Sequence, residues 1–226
     1  METQKNVLLL VGSAKRPHSN SESLGDYLCQ RLAERGFETE TQRLYRALRS
    51  EEGIEALLAA TDRADLIVLA APLYVDCLPA LVIQALERIA AHCQGRAEKA
   101  QRLVALLNCG FPEAAHNDTA LAICRQFARE AGFEWAGGLS LGGGQAIGER
   151  PLVELGGMMR HAVQALDLTA EALAAGQPIP SEAVEEMAKP FIPAWTYTVM
   201  GGLGWRQQAK KHGAQKALHA RPYQTK

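Results

Sequence analysis

Apolar residues along this chain fall in short runs that alternate with stretches of helical periodicity. Val7-Leu8-Leu9-Leu10-Val11 is uninterrupted, and so is Leu66-Ile67-Val68-Leu69-Ala70-Ala71. Apolar runs of this length, without polar alternation, predict strands covered on both faces. The pattern predicts strands at 6–11, 37–43, 65–71, 102–108 and 135–141. Glu38, Glu40 and Arg43 mark the second of these as an edge strand. Helices are predicted at 21–35, 52–61, 118–131 and, as a long final one, 151–174. Leu24, Tyr27, Leu28 and Leu32 share one face of the first helix, and Gly36 ends it in the left-handed cap conformation. The clearest helix follows the third strand. Leu78, Leu81, Val82, Ala85, Leu86, Ile89, Ala90 and Cys93 recur there at three- and four-residue steps.

Strand and helix alternating in this way predict an α/β fold with right-handed crossovers. Five strands fit a doubly wound parallel sheet of order 2-1-3-4-5. That domain is expected to occupy residues 1–176. Residues 177–226 break the pattern and read as a helical extension, entered through Pro178 and Pro180. Beyond Glu186 the extension has no acidic residue, while Lys189, Arg206, Lys210, Lys211, Lys216, Arg221 and Lys226 are basic and Trp195, Tyr197, Met200 and Trp205 lie among them. Two readings stand: an arm packed on the domain or a neighbouring subunit, and a lid near a partner's ligand.

Composition narrows the function. The chain has 226 residues, 47% hydrophobic and 22% charged, with a net charge of −1. That near-neutral balance does not point to nucleic acid or a membrane surface. No apolar run is long enough for a membrane span, and Met1–Asn6 lacks a signal-peptide pattern, so a cytoplasmic location is expected. Cys29, Cys77, Cys93, Cys109 and Cys124 are odd in number and never in C-x-x-C spacing. That argues against a disulfide framework and a local metal or cluster site.

Candidate chemistry lies where strands end. Strand one runs into Gly12-Ser13-Ala14-Lys15-Arg16-Pro17-His18-Ser19-Asn20-Ser21. Gly12 permits a tight turn, Ser13, Ser19, Asn20 and Ser21 supply hydroxyl and amide groups, and Lys15 or Arg16 adds charge at the rim. The following helix N-terminus adds unpaired N–H groups, which together make an anion site suited to a phosphomonoester. The segment is neither a Walker loop nor G-x-G-x-x-G. Ser19 with Glu22 also makes a capping box that would satisfy the same groups without a ligand. Strand three runs into Pro72-Leu73-Tyr74-Val75-Asp76-Cys77-Leu78-Pro79, and strand four into Asn108-Cys109-Gly110-Phe111-Pro112. An apolar slot with backbone donors and aromatic neighbours, here Tyr74 and Phe111, suits a planar ring with a polar edge.

Taken together, Gly12-Ser13 with Ser19-Asn20-Ser21 and Leu24, and Pro72-Leu73-Tyr74-Val75-Asp76 with Leu78-Pro79-Ala80, resemble the flavodoxin-like NAD(P)H-dependent oxidoreductases. That group includes FMN reductases, quinone reductases and the flavin domains of iron–sulfur flavoproteins. The resemblance spans roughly residues 5–174. It implies a flavodoxin-like sheet and a non-covalently bound FMN whose phosphate is held by Ser13, Ser19, Asn20 and Ser21, with Arg16 at the rim. It also implies that Pro72, Leu73, Tyr74 and Val75 follow the ring edge, and that Asn108, Cys109, Gly110 and Phe111 meet it from the other side. NADH or NADPH would be the co-substrate, and a quinone, flavin or similar small molecule the acceptor. A homodimer or homotetramer is expected by the same resemblance. Pro17-His18 lengthens the first loop, and the cluster cysteines are missing. Two alternatives remain open: a flavodoxin-type electron carrier that does not use NAD(P)H, and a non-catalytic interaction module. No catalytic side chain and no metal ligand stands out. His116 reads as a loop histidine, and Asn117 or Asp118 as the cap of the fourth helix. Gly142-Gly143-Gly144 either borders the pocket or simply turns the chain.

Overall fold

The computed structural model describes residues 5–15, 18–95, 100–191 and 194–221. Strand β1 (Asn6–Val11) leads to helix α1 (Asn20–Ala33), β2 (Glu38–Arg43), a one-turn α2 (Leu44–Ala47), α3 (Glu51–Arg63) and β3 (Leu66–Pro72). Then come α4 (Ala80–Cys93), β4 (Arg102–Asn108), α5 (Asp118–Ala131), β5 (Glu134–Leu141), α6 (Arg160–Ala174), α7 (Ser181–Ala188) and α8 (Ala194–Lys211). The five strands pair in parallel in the order β2-β1-β3-β4-β5, as the alternation predicts.

Period-two side-chain geometry sorts the central strands into two cores. Val7, Leu9 and Val11 of β1 and Leu66, Val68 and Ala70 of β3 face one layer, with α1, α6 and α7. Leu8, Leu10, Ile67, Leu69 and Ala71 face the other, with α3, α4 and α5. Leu8, Leu9 and Leu10 are at most 1% exposed, so both faces of the strand are covered. Each such leucine contributes about 1.5–3 kcal/mol relative to leaving it in water.

Two elements differ from expectation. The long helix expected over 151–174 is divided. Leu152–Met159 forms 3₁₀ turns broken at Gly156, whose φ of 55° and ψ of −144° are non-helical, and the α-helix starts at Arg160. The buried Leu152, Leu155 and Met159 imitate helical spacing, but the Gly156-Gly157 pair removes the propensity to continue. The turn α2 is also additional, formed where β2 runs into buried Leu44 and Ala47.

Chain packing on the sheet continues past residue 176, where the sequence places the domain boundary. The Ile179 N–H donates to the Ala136 carbonyl at 2.8 Å, and Ala183 and Met187 are buried in the α1/α6 core. The division into two units falls between Phe191 and Ile192. The second unit holds α8, on which Leu203 and Trp205 are exposed. No helix among the described residues is long and apolar enough to cross a membrane.

Candidate functional site

The register of the sheet brings the three candidate loops together. Val11 pairs with Ala70, Pro72 with Asn108, and Asn108 with Leu141, so the strands exit side by side at their carboxyl ends. This is the edge at which open α/β sheets bind ligands. Gly12 seals the first exit. Its N–H donates to the Ala70 carbonyl at 2.8 Å, and a Cβ there would stand 2.6 Å from Val82 and 2.8 Å from Ala71.

The first loop is an anion cradle by its hydrogen-bond accounting. Ser13 Oγ accepts from the Lys15 N–H at 3.3 Å, Ser19 Oγ from the Glu22 N–H at 3.1 Å, and Ser21 Oγ from Asn108 Nδ2 at 2.7 Å. All three serines are buried. Each hydroxyl thus spends an acceptor site internally and keeps its O–H donor, for which the described residues provide no acceptor. The backbone N–H groups of Asn20 and Ser21, in the first turn of α1, likewise lack a protein acceptor among the described residues. Buried donors left open at a helix N-terminus fit a phosphate. Arg16, expected at the rim, lies outside the described residues, as does Pro17.

Glu22 does not complete the capping box in the expected sense. Its backbone N–H is capped by Ser19, but its carboxylate is turned to Arg43 of β2, which donates from Nε at 2.7 Å and also from Nη2, and to His18 Nδ1 at 3.3 Å. The buried carboxylate is therefore charge-paired instead of lying across the cradle. Asp26, on the same face, has its carboxyl raised by burial and then by the Glu22 charge.

The second loop forms a miniature hairpin. The Tyr74 N–H donates to the Cys77 carbonyl at 2.8 Å, and the Cys77 N–H to the Tyr74 carbonyl at 3.2 Å. Val75 and Asp76 form its tip, both at positive φ (50° and 59°). A β-branched residue in this region is strained. Tyr74 is half exposed and Val75 is 97% exposed. Leu73 ties the hairpin base to β4 through its N–H to the Asn108 carbonyl at 2.8 Å. The third non-glycine residue with positive φ among the described residues, Glu149, also lies at this end of the sheet. Its N–H donates to Asn20 Oδ1 at 2.9 Å, and its carboxylate pairs with Lys15. Sequence reasoning missed Glu149. Gly148 before it was the only local sign of a turn.

The third loop closes the far side. The Cys109 N–H donates to the Leu141 carbonyl at 3.1 Å, and its thiol donates to the Phe111 carbonyl at 3.4 Å. Burial raises the Cys109 thiol above its ordinary value, so it sits as a protonated, inert group. A Cβ on Gly110 would stand 3.4 Å from Gln145 Nε2, an ordinary contact. Phe111 is half exposed and stacks on His116 with centroids 4.3 Å apart, while His116 Nδ1 lies 3.5 Å from Asp76 Oδ1. The triple glycine borders this site: the Gly143 N–H donates to the Phe111 carbonyl and the Gly144 N–H to that of Cys109. Asn117 holds the N-cap position of α5, but its amide turns away to Ser140 Oγ at 2.9 Å and to the Ala114 carbonyl.

A family model described as NADPH-dependent FMN reductase matches residues 5–177. Among solved structures, the chain is similar to an NAD(P)H:quinone oxidoreductase from Methanothermobacter marburgensis, at 17% identity and a TM-score of 0.53, covering 76% of this chain and 96% of that one. It is also similar to a flavodoxin from Streptococcus pneumoniae TIGR4, at 13% identity and a TM-score of 0.52, covering 76% and 98%. A WrbA-like flavodoxin from Agrobacterium tumefaciens shares 12% identity with a TM-score of 0.51, covering 77% and 99%. These likenesses establish the flavodoxin-like fold. Among curated proteins no relative matches the chain.

Proposed function

This chain belongs to the NADPH-dependent FMN reductase family, and on that premise we propose that it is an FMN-dependent oxidoreductase passing reducing equivalents from NAD(P)H to a quinone, a free flavin or a similar small acceptor. The supporting observation is the cradle of Ser13, Ser19 and Ser21. Three buried hydroxyls and two helix N–H groups there keep unspent donors at the carboxyl edge of the sheet.

In this reading the backbone N–H groups of Asn20 and Ser21 and the three serine hydroxyls hold the FMN phosphate. The Asn20 side chain, bonded to the Glu149 N–H, secures the loop instead of touching the ligand. Pro72, Leu73, Tyr74 and Val75 offer the ring edge a rigid wall with free apolar surface. Asn108, Cys109, Gly110 and Phe111 form the opposite wall. Bound FMN supplies the hydride and electron chemistry. The protein's contribution is orientation and exclusion of water, so no side chain is assigned as acid or base. The five free cysteines suit a reducing, cytoplasmic compartment.

The test is to purify the full chain with FMN, desalt it, and record the visible spectrum before and after anaerobic mixing with NADPH and, separately, NADH. Retained flavin that bleaches rapidly with either nucleotide is the expected result. Retained flavin that bleaches with neither identifies an electron carrier, and a colourless protein overturns FMN binding.

A further inference from the structure

Charge is divided unevenly along this chain. The second unit, Ile192–Lys226, holds six of the 24 basic residues and none of the 25 acidic ones. With histidine neutral it carries +6, the residues before it carry −7, and the whole chain only −1. The near-neutral total conceals a strongly cationic segment, and such a segment attracts surfaces of opposite sign.

That unit also has almost nothing buried. Among the described side chains from Thr196 to Arg221, only Ala209 is buried. Val199, Leu203 and Trp205 are each more than half exposed, and Leu218 is 44% exposed. Water is a poor environment for such a set. Gly201, Gly202 and Gly204 fall in the middle of α8, and no atom lies within 4 Å of a Cβ on any of them. Glycine is the poorest helix former after proline, and an unpacked helix of this length is marginal in water. The helix thus draws little from propensity or from packing within its own unit.

Apolar and basic side chains share one face. Val199, Leu203, Arg206 and Lys210 recur at steps of four, three and four, so they line up along α8. Lys211, Lys216 and Arg221 extend the positive charge beyond them. This mixture suits a lipid headgroup layer, where apolar tips enter the acyl chains and long basic side chains rise to the phosphates. Trp205 is of the residue type that settles at headgroup depth. A nucleic acid would meet the charges but leave Val199, Leu203 and Leu218 in water. α8 is not long and apolar enough to cross a bilayer, so the binding mode open to it is at one surface.

We propose that the Ile192–Lys226 unit is a peripheral anchor that binds the surface of an anionic lipid bilayer. Its cations pair with anionic headgroups, and Val199, Leu203 and Trp205 enter the interface. The bilayer in turn strengthens α8, since backbone groups that lose water must pair with one another.

The test is flotation of the full chain with vesicles of phosphatidylcholine, alone or with about 30 mol% phosphatidylglycerol. The wild-type chain is expected to float only with the anionic vesicles and to be released as salt is raised, because salt screens exposed charges. Arg206→Gln, Lys210→Gln and Lys211→Gln combined should weaken binding at least about tenfold, whereas Arg206→Lys should not. Leu203→Ser keeps every charge and should also weaken binding, which mere adsorption of a cationic tail would not show. Tryptophan emission should shift to the blue on binding, and Trp205→Phe should remove most of that shift. Unchanged far-UV circular dichroism verifies folding of each variant. A wild type that stays down with anionic vesicles, one that floats equally with neutral ones, or full affinity in Leu203→Ser would each overturn the anchor. Retardation of duplex DNA by a chain that fails to float would assign the cationic surface to nucleic acid instead. Flavin content plays no part in this binding and is recorded separately.

Discussion

Asn108 Nδ2 donates to Ser21 Oγ at 2.7 Å, joining the end of β4 to the first turn of α1 across 87 residues of sequence. The same nitrogen reaches the Ala71 carbonyl at 3.3 Å, so one buried amide fixes three chain segments. Gly144 lies against it, since a Cβ there would stand 2.8 Å from Asn108 Oδ1. The cradle and the ring slot are thus coupled through a residue that belongs to neither helix nor phosphate loop.

Replacing Asn108 by Ala should cost about 1–3 kcal/mol, the penalty for a buried partner left unpaired. Ser21→Ala removes the other end of the bond, and the two substitutions should couple by about 0.5–3 kcal/mol in a double-mutant cycle. Urea unfolding measures the cycle. Quenching of FMN fluorescence should show weaker binding in both single variants.

Val75 is strained for no gain in burial, holding φ of 50° while 97% exposed. Val75→Asn fits that backbone better and should stabilise the protein by about 1 kcal/mol. If Val75 borders the flavin ring, FMN affinity falls in the same variant. Thermal melts with and without FMN separate the two effects, and a variant no more stable than the parent would refute the strain argument.

The cysteines should react in a fixed order. Cys77 is exposed in the hairpin, whereas burial pushes the thiols of Cys29 and Cys124 up to about 12. A thiol reagent at neutral pH should modify Cys77 first, and Cys77→Ser should abolish that fast phase. FMN should slow it, because Tyr74 and Cys77 are bonded across the hairpin that borders the proposed ring site.

Asp26 gives a pH signature. Burial, and after it the Glu22 charge, raise its carboxyl above the ordinary 3.8. A raised carboxyl favours the protonated form in the fold, so its contribution is complete below the ordinary value and is lost as pH rises through the folded one. Asp26→Asn should therefore stabilise the protein near neutral pH and make no difference in acid. The side chain is nearly half exposed, so solvent screening limits the gain to about 0.5 kcal/mol. Melting temperatures from pH 3 to 8 check the crossover.

Much of the fold was legible because strand burial leaves a local trace. A sheet covered on both sides demands unbroken apolar runs, and β1, β3 and β4 carry them, so five strands and their order followed from alternation. The anion loop was legible for a similar reason: Gly12 and the serines advertise a tight turn and small donors wherever they occur. What the chain alone left undecided were relations between distant segments. Whether Glu22 covers the cradle depends on Arg43, and whether Ser21 keeps its donor depends on Asn108. Neither pairing leaves a mark in local spacing. The helix over 151–159 misled for the converse reason, since buried apolar residues repeat every three or four positions in 3₁₀ turns and in an α-helix alike. Local pattern fixes which backbone conformations a segment favours. Only the folded chain decides which buried polar groups find a partner, and that set the open donors on which the flavin reading rests.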